Sequence, residues 1–193
     1  MQRIIGTLIF LLTVNFIAMA QKGFELEKEI VINVPASELW EMVGPGFEEV
    51  YKWSSNVDHS EGSGTSMFEG ATCSERACNV NVKGFSKIKE TLTKYDQDQM
   101  VLAYEVNDGM PGFVTRAANE WTVVAVSEYQ SKLVMKAEFE SKGLMGALMR
   151  GMMKNKMSKT LDTVLNDAKI YAETGQISGA KEKRVAQLER KAA

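Results

Sequence analysis

The sequence predicts an α+β domain in which a run of antiparallel strands is covered by one long C-terminal helix. Two observations carry this reading. Between Gly70 and Ser141 the chain repeats short segments of alternating apolar and polar residues, separated by turn-type residues, as consecutive antiparallel strands do. From Gly143 to Gly175 the apolar period lengthens to three and four residues, which is helical, and no other segment is long enough to cover the apolar face of a sheet.

The chain divides into three. Residues 1–20, MQRIIGTLIFLLTVNFIAMA, carry Arg3 as their only charge, an apolar run from Ile4, and Ala18-Met19-Ala20 ahead of Gln21. Those are the charged, apolar and small-residue regions of a cleavable signal peptide, and they predict an exported protein, periplasmic or secreted. A membrane anchor fits less well, because the run is short, includes Asn15 and has no flanking charge cluster. No stable membrane span is expected after cleavage. Residues 21–175 have the size of one ligand-binding domain with its own core. Residues 176–193 are polar, with Lys181, Lys183, Arg184, Arg190 and Lys191 against Glu182 and Glu189, and read as a disordered tail.

Within the domain, LEKEIVINV (Leu26 to Val34) alternates and then becomes β-branched, a first strand stopped by Pro35. ASELWEMV follows as a short helix, with Ser37 as candidate N-cap and Leu39, Trp40 and Val43 on one face, before Gly44-Pro45-Gly46 ends it. A second short helix is expected over FEEVYKW. The segment from Ser54 to Gly70 is rich in Ser, Gly and Glu and reads as a short strand or two with exposed loops, leaving His59 solvated. Five strands then follow in ATCSERAC, GFSKIKETLTKY, QMVLAYEV, TRAANEWTVVAV and SKLVMKAEFES, ahead of a helix of about thirty residues, ~45 Å long.

Several function classes lose support from composition. The formal net charge is −2, and one unit more negative without Arg3, so nothing suggests a nucleic-acid partner. No repeat or phosphate-binding loop is present, and no cofactor is implied. Cys73 and Cys78 would stand roughly 16 Å apart in an extended strand, whereas a disulfide needs less than about 7 Å, so a bond requires a bulge or turn at Ser74-Glu75. Two thiols and a distant His59 do not make a four-ligand metal site.

Chemistry concentrates on the inner face of the central strands. In GFSKIKETLTKY one face carries Ser86, Ile88, Glu90 and Leu92, so Glu90 points inward, and in QMVLAYEV Tyr104 shares a face with Met100, Leu102 and Val106. A three-residue hairpin loop at Val82-Lys83-Gly84 sets Arg76 opposite Glu90. A loop centred near Gln97 sets Tyr104 on the other side of Glu90, giving a polar row across three strands that Trp121 could extend. An ionised carboxylate on an apolar face requires a partner, and Arg76 is the candidate. Such a pair is either purely structural or lends its spare donors to a ligand.

Met145, Met149, Met152, Met153 and Met157 crowd the first half of the final helix. Flexible, polarisable side chains suit an adaptable cavity wall, though an ordinary core accounts for any one of them. Trp40 is read as core, and Trp53, which precedes a loop, as a pocket candidate. The candidate ligand-binding set is therefore Trp53, Arg76, Glu90, Tyr104, Trp121, Met149 and Met153.

Arg76, E90-T-L-T-K-Y-D96 and Y104-E-V, set in this order of elements, resemble the polyketide cyclase/dehydrase and lipid-transport family, part of the START-related SRPBCC superfamily with the helix-grip fold. The resemblance spans Leu26 to Gly175 and rests on the order of individually weak motifs. It implies a curved antiparallel sheet wrapped around the C-terminal helix, with a hydrophobic cavity between them. Members bind lipids, sterols, polyketides or plant hormones, and a minority are cyclases or dehydratases. Arg76, Glu90 and Tyr104 match positions where members often carry polar cavity residues. Export with a cysteine pair departs from many cytosolic members.

The first functional expectation is an exported carrier that shields a small hydrophobic molecule, with the final helix and the loops after Trp53 and Val106 as gates, Gly109, Pro111 and Gly112 making the latter loop a lid. The second is a cyclase- or dehydratase-type enzyme in which Glu90 is the base, Tyr104 the acid and Arg76 stabilises an enolate. It needs a Glu90 free of Arg76. A protein-interaction module using the basic tail has only its charge behind it, and no protein partner is identifiable.

Overall fold

The computed structural model describes residues 22–82 and 84–192. The N-terminal segment read as a signal peptide lies outside the described residues.

Seven strands form one curved antiparallel sheet around a long helix, the helix-grip arrangement. The strands are β1 (Lys22–Ile32), β2 (Val57–Ser63), β3 (Glu75–Val82), β4 (Phe85–Asp96), β5 (Val101–Asp108), β6 (Val114–Ser127) and β7 (Gln130–Ser141). Their spatial order is β1-β7-β6-β5-β4-β3-β2, so each strand from β2 to β7 lies beside its sequence neighbour and β1 closes on the last. Helix α1 (Ala36–Val43) and a 3-10 helix (Pro45–Lys52) follow β1. Helix α2 (Gly143–Thr174) lies against β1 and β7 and ends on Gly175, whose φ of 68° suits the left-handed cap that glycine adopts freely.

Helix α1 begins two residues earlier than the candidate cap suggests, with Pro35 and not Ser37 at the N-cap. Ser37 lies inside it and makes no capping bond, because Pro35 already sets the entry and its carbonyl accepts from Leu39 N. ATCSERAC is strand only from Glu75 onward. The β3–β4 hairpin closes at Val82↔Phe85, a tighter turn than the three-residue loop expected, and an irregularity between Asn79 and Val82 restores the pairing of Arg76 with Glu90.

A second irregularity, between Leu92 and Lys94, reverses which side chains face inward. Ahead of it Glu90 and Leu92 are buried; beyond it Tyr95 is buried and packs 5.3 Å from the Trp40 ring. Ser86, expected on the inner face, is exposed.

The tail is the main correction to the sequence reading. Residues 179–192 form helix α3 (Gly179–Ala192), held to the domain by specific polar bonds that its composition does not reveal. Lys181 Nζ donates to the Val57 carbonyl at 2.7 Å, and Arg184 grips both carboxylate oxygens of Asp58. Asp167, fully buried on α2, accepts from Ser55 N and Ser55 Oγ at 2.7 Å each and from Ser178 Oγ. A buried carboxylate is tolerated when several donors meet it, and here those donors join α2, the start of β2 and the entry to α3.

Candidate functional site

Between the concave face of the sheet and the first half of α2 lies a cavity of about 420 Å³. That is within the range of roughly 300–1,000 Å³ usual for small-molecule sites. Its walls are mostly apolar: Val80, Val106, Phe113, Ala117 and Phe139 from the strands and loops, and Met149, Met153 and Met157 from α2.

Arg76, Glu90, Tyr104, Trp121, Met149 and Met153 all line this space; Trp53 does not. Trp53 is 2% exposed and sits behind the wall, its ring 6.2 Å from that of Trp121. It ends the 3-10 helix, and that helix turns its ring into the core instead of toward the following loop.

Arg76 and Glu90 face each other across β3 and β4, 3% and 4% exposed. Arg76 Nε and Nη2 both reach Glu90 Oε2 at 2.7 Å, and Nη1 donates to the Phe47 carbonyl. Cys78 Sγ lies 3.5 Å from the same Oε2, so Glu90 Oε1 accepts none of these bonds. The guanidinium stacks 3.8 Å over the Phe47 ring and 5.2 Å from that of Tyr104, which covers its faces with aromatic surface.

The register of the third partner differs from expectation by two residues. Glu90 pairs with Val106, and Tyr104 stands opposite Leu92. The β4–β5 turn is centred later than Gln97, because Met100 adopts a φ of 52° and the ladder starts at Asp96↔Val101. Tyr104 still points inward, diagonal to Glu90 and within reach of Arg76, since a two-residue shift preserves the face.

Burial opposes the charge on Arg76, but Glu90, Cys78 and Tyr104 around it more than offset that and hold it protonated. Burial also raises the phenol of Tyr104, with Glu90 adding to the effect, and pushes the Cys78 thiol up to about 12. The Glu90 oxygen that faces Arg76 is already taken by two guanidinium nitrogens, and a phenol raised further is badly matched to proton transfer near neutral pH.

Sequence reasoning missed Cys78 and Asn119 as lining residues. The signal was available: Cys78 alternates with Arg76 on β3, and Asn119 with Trp121 on β6, so each must share the inward face. Met110, Pro111 and Phe113, from the loop read as a lid, rim the cavity beside α2, and Phe113 O accepts from Lys142 N at 2.8 Å. Gly109 turns that loop at a φ of 87° where a Cβ would stand 2.0 Å from the Lys87 carbonyl.

Cys73 and Cys78 are both buried and are not joined by a disulfide. Among the described residues no group of three or more His, Cys, Asp or Glu is placed to hold a metal. Among those same residues, no helix is long and apolar enough to cross a membrane.

Residues 23–173 match the family model described as polyketide cyclase / dehydrase and lipid transport. Among solved structures, the Zhui aromatase/cyclase from Streptomyces sp. R1128 is similar at a TM-score of 0.61 and 16% identity, over 81% of this chain and 100% of that one. Norcoclaurine synthase from Thalictrum flavum, solved with dopamine and hydroxybenzaldehyde, gives a TM-score of 0.60 and 13% identity over 90% and 98%. A protein from Thermus thermophilus gives 0.62 and 14% over 77% and 97%. At such identities the likeness concerns the fold. No curated protein matches the sequence significantly.

Proposed function

Because the chain belongs to the polyketide cyclase/dehydrase and lipid transport family, we propose that it is an exported carrier that holds one small hydrophobic molecule between its sheet and α2. The ligand class is a lipid, a sterol, a polyketide or an aromatic compound. The observation that carries the reading is a Met-walled apolar cavity of about 420 Å³ whose buried charges, Arg76 and Glu90, are already paired with each other. In such a site apolar burial supplies affinity, and the pair, with Glu90 Oε1 and Asn119 nearby, fixes the orientation of a ligand oxygen. Support for export is Arg3, the apolar run and Ala18-Met19-Ala20.

The enzyme reading needs Glu90 as a free base, and pairing with Arg76 removes its main support. Native mass spectrometry of protein purified from its own compartment tests the carrier. The expected result is a stoichiometric apolar molecule released on unfolding; protein isolated with water alone in the cavity, and unable to take up an apolar fluorophore, would refute it.

A further inference from the structure

The first half of α2 is apolar on two sides. Met149, Met153 and Met157 face the cavity, while Leu144 and Leu148 are 80% and 75% exposed and Met145 and Met152 54% and 42%. At 3.6 residues per turn, roughly 100° per residue, these four exposed side chains fall in one stripe about 100° wide. An outward stripe of this kind on a helix that already buries another apolar face is unusual for a surface that meets only water.

Charge is distributed just as unevenly. From Lys142 to Leu161 the sequence holds five basic residues, Lys142, Arg150, Lys154, Lys156 and Lys159, and no acidic one. None of the five forms an ion pair among the described residues, although the sheet's outer face is laced with pairs such as Lys132–Glu29 and Lys94–Glu120. On the helical wheel Lys159 falls within the stripe and Lys156 borders it, while Lys154 stands roughly 80° beyond its other edge. Apolar side chains bordered by long cationic ones that can snorkel outward are what the boundary between acyl chains and anionic headgroups accepts.

We propose that this face of α2 docks on an anionic lipid bilayer and places the cavity mouth against it. The stripe adjoins Met110, Pro111 and Phe113 through the Lys142–Phe113 backbone bond, and Met152 and Lys156 belong both to the exposed face and to the cavity rim. A ligand leaving the bilayer there would pass between the lid loop and the Met wall without crossing water. That use as a loading gate rests on the carrier reading above; the docking rests on the surface alone.

The test is flotation of the protein, as isolated from its own cells, with vesicles of equal parts phosphatidylcholine and phosphatidylglycerol, and with phosphatidylcholine alone. Binding should favour the anionic vesicles and weaken with salt. Leu144→Ser with Leu148→Ser, and separately Lys154→Glu with Lys159→Glu, should each lower vesicle affinity tenfold or more while leaving thermal unfolding unchanged. None of these four residues lines the cavity, so uptake of an apolar fluorophore from solution should also be unchanged. Variants that float as the parent does, on either vesicle, overturn the docking. A parent that floats through this face yet takes up no fluorophore overturns the carrier reading and leaves the docking in place.

Discussion

The two halves of α2 meet the same sheet in different ways. In the second half Leu161, Val164, Leu165 and Ala168 are all 8% exposed or less, whereas in the first half Gly146 alone is buried. The second half is also tied to β1 and the residue after it: Lys28 pairs with Asp162 at 3.0 Å, Lys169 Nζ donates to the Val31 carbonyl, and Glu173 accepts from Asn33 N. Among the described residues, no ion pair anchors the cations of the first half. One continuous helix therefore serves as core at one end and as the wall of an open space at the other. Stiff, branched side chains fill the packed end, and unbranched methionines line the end where contents can vary.

The sharpest way to break this contrast is to remove charge where the cavity meets the packed core. Arg76→Met would strand Glu90 on the inner face and should cost about 3–5 kcal/mol in urea unfolding. Replacing both partners, Arg76→Met with Glu90→Leu, should recover most of that loss, since apolar replacement of a buried pair is often neutral. Recovery with loss of ligand binding would assign the pair to orientation; failure to recover would make it a structural element that the cavity happens to border.

Next in size is the helix itself. Leu165→Ala in the packed half should cost about 2–5 kcal/mol. Met153→Ala beside the existing cavity should cost about 1 kcal/mol or less, because a void already borders the site, and should act mainly on ligand affinity. Equal losses by thermal denaturation would mean that the two halves are packed alike.

The smallest effect is confined to alkaline pH. In the unfolded chain the Cys78 thiol titrates near 9.0, and in the fold burial pushes it up to about 12. The proton is held more tightly by the folded state, so the associated stability is fully present below pH 9 and is lost as pH rises toward 12. Cys78→Ala should flatten that alkaline decline, whose slope is at most about 1.4 kcal/mol per pH unit. Alkylation of Cys78 in native protein should be correspondingly slow near neutral pH and slower still with the cavity occupied.

Periodicity and turn chemistry made much of this legible. The change at Gly143 marks the start of α2, and residue alternation with a hairpin near Gly84 identifies Arg76 and Glu90 as partners. What escaped has a common physical origin in features that break periodicity or join distant positions. The irregularity after Leu92 and the positive φ of Met100 moved Tyr104 by two places, and no local pattern announces either. Trp53 was displaced from the cavity by the direction in which a 3-10 helix releases its last side chain. Helix α3 was hidden because its composition is that of a solvated segment; its order comes from Asp58, Val57 and Asp167, more than a hundred residues away in two cases and eleven residues before Ser178 in the third.

That returning helix bears on how the molecule avoids itself. Strand β2 is an outer strand of the sheet, and a free outer strand offers backbone groups on which a second molecule could add a strand of its own. With Lys181 on the Val57 carbonyl and Arg184 clamped to Asp58, the start of β2 is already occupied by the chain's own C-terminal segment. Loss of α3 would thus be felt first as self-association, with fibres or swapped dimers forming at concentrations where the intact protein stays dispersed.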